Sequence, residues 1–271
     1  MENKRHQKVS SRGEKFAKHI TTRIWEEIPS EKNPYITETN RCHGYEQLTL
    51  MQGRSFVEVL YLLFRGELPT AQEAELLEQL MIGLINPGPR HPATRAAMNA
   101  GIGKTDVEHI LPISLSILSG AHLGAGEVEG AMRFLRKNSK KTPEQVVQGL
   151  LNESAPPTEG DWHIAPGFGS HYGDVDIIPN KMGNQLIALK GAGKILMWGN
   201  QFSQILQDNH MGWLSTGVAA AVFADLGFQP RYGAGLYQLL SAPGLLAHGI
   251  EQSNKPITDM PYISDENYVI E

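Results

Sequence analysis

Residues 55–70, SFVEVLYLLFRGELPT, decide how the rest of the chain is to be read. Apolar side chains at Phe56, Val59, Leu60, Leu62 and Leu63 recur at helical spacing, Ser55 suits an N-cap, and Gly66 suits a stop, so the stretch predicts a helix with one buried face. Pro69 and Thr70 open a second helix, and the pattern then repeats outward. AQEAELLEQLMIGLI, PATRAAMNAG, TDVEHILPISLSILSG, EVEGAMRFLRK, TPEQVVQGLLNE, NQLIALKGAG, KILMWGNQFSQILQD, WLSTGVAAAVFADLG and AGLYQLLSAPGLLAHGIEQ all show it, separated by Gly, Pro or Asn breakers. In the other direction, TTRIW and PYITET flank the turn-rich EIPSEKN, which predicts one β-hairpin between Ile20 and Thr39, with strand content ending there. The expected fold is all-α: one packed multi-helix body with a short N-terminal hairpin and a cleft where the Gly-rich loop in the 160s interrupts the helices. No repeat of fixed period is visible.

The ends read differently. Residues 1–18 carry Lys4, Arg5, Lys8, Arg12, Lys15 and Lys18 with almost nothing apolar, so a disordered basic arm is expected. Residues 254–271 lack an apolar period and are expected to run as an extended strap, which leaves 19–253 as the helical domain. Across 271 residues, 24 Lys+Arg against 29 Asp+Glu give a net charge of −5, so no general attraction to nucleic acid or an anionic membrane surface is expected. A single cysteine, Cys42, excludes an intramolecular disulfide and points to a reducing compartment, hence the cytoplasm. The longest strongly apolar stretch, Gly217 to Ala224, is far shorter than the roughly 20 residues of a membrane span.

Three patterns look functional and are set aside. GIGKT at 101–105 lacks the first glycine of a phosphate loop, because Met98 stands there, and no strand precedes it. GFGSHYG at 167–173 misses the dinucleotide spacing and has no βαβ frame. Asp174, Asp176, His163, His171 and His210 have ligand chemistry but no HExxH or HxH spacing, so no metal is expected.

Other segments are more specific. CHGYEQLTLMQGRSFVEVLYLLFRGELPT at 42–70, SGAHLGAGEVEGAMRFL at 119–135, APGFGSHYGDVD at 165–176, LSTGVAAAVFADLGF, and LYQLLSAPGLLAHGIEQSNKPI together span roughly residues 20–260. They resemble the citrate synthase superfamily, in particular its compact citryl-CoA lyase-like branch, with Cys42 and His43 where an Arg commonly precedes GY. The resemblance implies the citrate synthase-like multi-helix fold, with a smaller lobe at about 155–210. It also implies a transferase or lyase that makes or breaks a carbon–carbon bond between an acyl-CoA-derived unit and an oxo acid. A coenzyme A thioester would enter as substrate rather than as a cofactor, and the protein would be a homodimer or a higher even oligomer. The apolar runs GVAAAVFA and HILPISLSIL also suggest a subunit contact.

In that family a carboxylate removes a proton from the methyl of the thioester, one histidine donates to the enolate oxygen, and a second polarises the oxo acid. A weak carbon acid needs such a base and a preorganised donor. Anchored on HxGAxE, His122 falls on the donor histidine with Glu127 on the helix that follows; anchored on EGAMRFL, Gly124 falls there instead. The family's GFGH reads GFGS, so Ser170 takes the histidine position and His171 follows one later, with Gly167 and Gly169 in the substrate loop. Thr216 stands where the family has its catalytic Asp, and a threonine hydroxyl is no base near neutral pH. Asp208 lies eight residues earlier, about 12 Å along a helix axis, too far to substitute. Ser241 replaces the Arg that commonly precedes TPG, and the DHG element reads Asn86-Pro87-Gly88, with His91 shortly after. The resemblance therefore implies a site built on His122, His171, Ser170 and Thr216, with Gly167, Gly169 and Glu127 binding substrate. Either the acid/base set is altered, or the chain is a degenerate homologue serving as a binding or regulatory subunit, or the scaffold carries a different activity.

Overall fold

A computed structural model describes residues 18–153 and 161–270. All but the last residue of the expected basic arm lies outside them, as does the start of the expected smaller lobe. The chain divides into two compact units with the boundary between Glu67 and Leu68.

In the first unit, β1 (Trp25–Pro29) and β2 (Thr37–Cys42) pair antiparallel, and β3 (Tyr45–Glu46) pairs with β2. The hairpin sits later in the chain than its composition suggested, and residues Glu27 to Pro29 are strand rather than turn. The turn follows at Ser30, whose Oγ accepts from the Asn33 N–H at 3.1 Å while its own N–H donates to the Ile36 carbonyl at 2.8 Å. Helix α1 (Gln47–Gly53) was not anticipated, and it has no side-chain cap hydrogen bond to announce its start. Helix α2 (Phe56–Arg65) has both signals that the sequence showed. Ser55 and Glu58 form a reciprocal capping box, and Gly66 closes the helix in the left-handed conformation at φ 79.

The second unit opens with α3 (Ala71–Leu84), capped by a second box between Thr70 and Glu73. It continues through α4 (Pro92–Ile102), α5 (Val107–Leu118), α6 (Gly126–Asn138) and α7 (Pro143–Glu153). A small antiparallel sheet follows, ordered β4 (Trp162–Ala165), β5 (Phe168–Ser170), β6 (Gly212–Trp213), which corrects the expectation that strands end at the first hairpin. Strands of four, three and two residues are too short to show an alternating pattern. Pro166–Gly167 joins β4 to β5, with Gly167 at φ 82, the positive value a type II turn needs at its third residue. Between β5 and β6 run α8 (Ile177–Ile187) and α9 (Lys194–Leu206). Helix α8 starts seven residues before its apolar pattern, and Pro179 is tolerated because first-turn N–H groups have no helical partner.

The last two helices, α10 (Ser215–Asp225) and α11 (Gly233–Ser253), organise the interior. Val218 to Phe223 are completely buried. The apolar run GVAAAVFA is therefore covered by its own chain and makes no demand for a partner. On α5, Ile113 and Ile117 remain exposed. Helix α11 lies along α4, where Gly101 faces the Gly249 carbonyl so closely that any side chain at 101 would overlap it. Beside α10, Phe134, Phe168, Trp198, Phe202 and Trp213 form one aromatic cluster, with Phe168 stacked on Trp213 at 4.4 Å between centroids. Trp213 is fully buried, and its indole N–H donates to Asn200 Oδ1 at 3.2 Å, as a buried indole requires. This core fixes the strand that leads into α10. After Ser253 the chain is mostly non-helical, with 3₁₀ turns at Ile257–Asp259 and Asp265–Asn267.

Candidate active site

Residue 216 is the second residue of α10, and its position is set by backbone packing. The Leu214 N–H donates to the Gly167 carbonyl at 3.0 Å, and Gly167 and Gly217 approach so closely that a Cβ on either would overlap the other's main chain. The β4–β5 turn is thereby pressed against the start of α10. Thr216 is 4% exposed, and its hydroxyl donates to Glu127 Oε2 at 2.6 Å. Glu127 is the second residue of α6, so its carboxylate lies in the first turn of one helix and bonds into the first turn of another. Helix N-termini favour negative charge at such a place.

The second carboxylate oxygen, Glu127 Oε1, accepts from His163 Nδ1 at 2.7 Å. Burial opposes ionisation of Glu127, but the bonds from His163, Thr216 and the Gly167 N–H outweigh it and hold the carboxyl below its ordinary value. The same bond acts on the imidazole: Glu127 raises the His163 pKa against burial, helped by the charges of Glu127 and Asp161. Asp161 Oδ2 lies 3.0 Å from His163 Nε2 and 3.4 Å from His122 Nδ1. The rings of His163 and His171 are 5.6 Å apart, and His171 Nδ1 lies 3.5 Å from Asp176 Oδ2.

A cavity of about 430 Å³ opens beside this chain of groups, lined in part by Arg90, His91, Arg95, Glu127, His171, Thr216 and Tyr237. A second of about 450 Å³ shares Pro87, Arg90, Asp176, Ser215 and Tyr237 with it and extends to Ser241. Each is of ordinary size for a small-molecule site. His91 caps α4: its Nδ1 accepts from the Ala93 N–H at 3.1 Å, which leaves Nε2 to donate to the Leu123 carbonyl at 2.7 Å. Burial lowers the His91 pKa, so this neutral tautomer is the favoured form. Leu123 is held at φ 55, a conformation of a kind that costs a non-glycine residue on the order of 1–3 kcal/mol. The phenol of Tyr237 is pushed far above its usual value by burial and by the Glu127 charge, so it stays a donor.

Of the residues singled out in the sequence, Glu127, His171 and Thr216 line the first cavity. Gly167 and Gly169 are structural neighbours: Gly167 supplies an N–H to Glu127 and packs on Gly217, and Gly169 lies against the Trp162 carbonyl. Ser170 is buried, with its hydroxyl donated to the Asp174 carbonyl at 2.9 Å, and does not line the cavity. His122 is 68% exposed at its side chain and, among the described residues, connects to the group through Asp161 and a stack on His163 at 6.1 Å. Gly124, the alternative to His122, packs its backbone against the Leu118 and Gly120 carbonyls. Sequence reasoning passed over His163 as one of several loop ligands and did not reach Asp161, Arg90, Arg95 or Tyr237. His163 lies 36 residues from Glu127, and no local pattern links them.

The arrangement of helices around this site is the citrate synthase-like fold. Citryl-CoA lyase from Hydrogenobacter thermophilus superposes with a TM-score of 0.75 at 24% identity, over 93% of this chain and 94% of that one. An ATP citrate lyase variant from Methanosaeta concilii, in complex with (3S)-citryl-CoA, gives a TM-score of 0.68 at 19% identity, over 93% of this chain and 43% of that longer one. Citrate synthase from Thermotoga maritima gives 0.58 at 21% identity, over 80% and 62%. At these identities the likeness is one of fold. No protein-family model matches the chain, and no curated protein matches it. Among the described residues, no helix is long and apolar enough to cross a membrane.

Proposed function

We propose that the cavity makes or breaks a carbon–carbon bond between an acyl-CoA-derived unit and an oxo acid, with Glu127 supplying the carboxylate that position 216 lacks. One observation carries this reading: Glu127 lies in the cavity wall with its carboxylate 2.6 Å from the hydroxyl of Thr216. In the bond-forming direction, Glu127 takes a proton from the carbon beside the thioester carbonyl, and the electron pair shifts to the carbonyl oxygen as an enolate. That carbon then attacks the keto carbon of the oxo acid, whose oxygen gains a proton as it becomes a hydroxyl. His171 and Tyr237 are the cavity donors for the two oxygens, and Arg90 and Arg95 bring positive charge for the carboxylates of the oxo acid, in place of the Arg missing at Ser241. Cleavage runs the same steps in reverse. The CoA thioester enters as substrate. The chain works in the cytoplasm as a homodimer or higher even oligomer, with the exposed Ile113 and Ile117 of α5 as part of the contact; light scattering giving only a 29.9 kDa particle at micromolar concentration overturns the oligomer.

The test is exchange of the methyl protons of acetyl-CoA in deuterated water, followed by mass spectrometry, alongside cleavage of citryl-CoA. Glu127→Gln is expected to slow exchange by about 100- to 10,000-fold, the usual worth of a positioned base. Wild-type exchange that survives Glu127→Gln removes Glu127 from the role. A second reading, a binding or regulatory subunit without turnover, draws on the fact that both oxygens of Glu127 are already bonded and its pKa is held low, which makes it a weak base. Calorimetric binding of a CoA thioester by a wild type that exchanges nothing favours that reading. Neither binding nor exchange points to a different activity on this scaffold.

A further inference from the structure

We infer that Asp161, His163 and His171 form a binding site for a first-row divalent transition-metal ion at the edge of the cavity. Their ligand atoms lie within 4.8 Å of one another, on β4, the residue before it and the residue after β5. The inference does not rest on the reaction proposed above, although a bound cation would take over the donor role given there to His171, and it departs from the absence of a metal expected from sequence spacing.

Two observations carry it. Asp161 Oδ2 and His163 Nε2 are buried atoms 3.0 Å apart, and among the described residues neither makes a well-formed hydrogen bond. Buried polar atoms left in this state are costly, at about 1–3 kcal/mol each, and call for an explanation such as a bound ion. Two atoms each about 2.0–2.1 Å from one cation, at 90° to 109°, stand roughly 2.8–3.4 Å apart, a range that includes the spacing found here. The second observation is the support behind the imidazole. His163 Nδ1 is held by Glu127 at 2.7 Å, which fixes the ring and leaves Nε2 as the ligand atom. A carboxylate behind a histidine in this way orients the ring and raises its basicity toward a metal. Asp176 Oδ2, 3.5 Å from His171 Nδ1, brings a carboxylate near the second ring as well, at longer range. Two imidazoles and one carboxylate suit Zn²⁺ and its neighbours rather than Mg²⁺ or Ca²⁺, and three protein ligands leave a position open to water or to a substrate oxygen. Were that oxygen the keto group of an oxo acid, the cation would polarise it in place of His171.

The experiment titrates Zn²⁺ into chelator-washed, dialysed protein by calorimetry, and follows Co²⁺ by its visible absorption bands. One equivalent per chain is expected, with affinity reduced at least about tenfold in Asp161→Asn, His163→Ala and His171→Ala, and by about 10–100-fold in Glu127→Gln, which removes the supporting carboxylate. Circular dichroism shows which variants fold; His171, part-exposed on its loop, is the substitution least coupled to the core. Asp106, Glu108 and His109 form an exposed group of similar composition, so Glu108→Gln serves as the control and should leave the titration unchanged. Binding that is lost in Glu108→Gln but retained in His171→Ala and Asp161→Asn overturns the assignment, and so does wild-type protein that takes up no Zn²⁺ or Co²⁺.

Discussion

The polar chain that runs from Thr216 through Glu127 and His163 to Asp161 and His122 has two very different ends. At the Thr216 end every atom is placed by close packing: glycine against glycine at 167 and 217, α10 buried behind them, and Trp213 fixing the strand before. At the His122 end the side chain is 68% exposed and is held by one 3.4 Å contact and a ring stack. A chemical group is only as well positioned as what surrounds it. His122 is therefore less firmly positioned than the glutamate five residues later.

The contrast sets an order of expected effects. Trp213→Ala empties the largest fully buried side chain of the core, so it should cost about 3–5 kcal/mol in denaturant unfolding, and the start of α10 should loosen with it. A much smaller loss would mean that the buried end is less rigid than its packing indicates. Thr216→Val keeps the shape but leaves Glu127 Oε2 without its hydroxyl donor, and about 1–3 kcal/mol of stability should be lost, while Thr216→Ser should restore most of it. Equal stability of the Val and Ser variants would show that the 2.6 Å bond contributes little. His122→Ala should change stability by less than about 0.5 kcal/mol, as for other exposed positions. If it instead abolishes methyl-proton exchange with the fold intact, His122 reaches the cavity during the reaction and the two ends are closer in function than in geometry.

Much of the fold was legible because its signals are local. The N-cap at Ser55, the stop at Gly66 and the helix start at Thr70 are read within a few residues, and they appear in the structure where the sequence puts them. Helix α1 shows the converse, for it starts without a side-chain cap and went unseen. The apolar run of α10 was legible as a buried helix, but not as one buried by its own chain, since composition does not distinguish an interior from an interface. The short second sheet escaped because two to four residues carry no usable periodicity.

By itself the sequence determined the all-helical frame with its N-terminal hairpin, because propensity and capping depend on neighbours along the chain. Only the tertiary structure decided that Glu127 meets Thr216 across 89 positions, that Ser170 turns into its own loop, and that Asp161, His163 and His171 face one another. Those relations come from which backbones can touch. At Gly167 and Gly217 the absence of a side chain lets a turn and a helix come together, and the chemistry beside them follows from that contact.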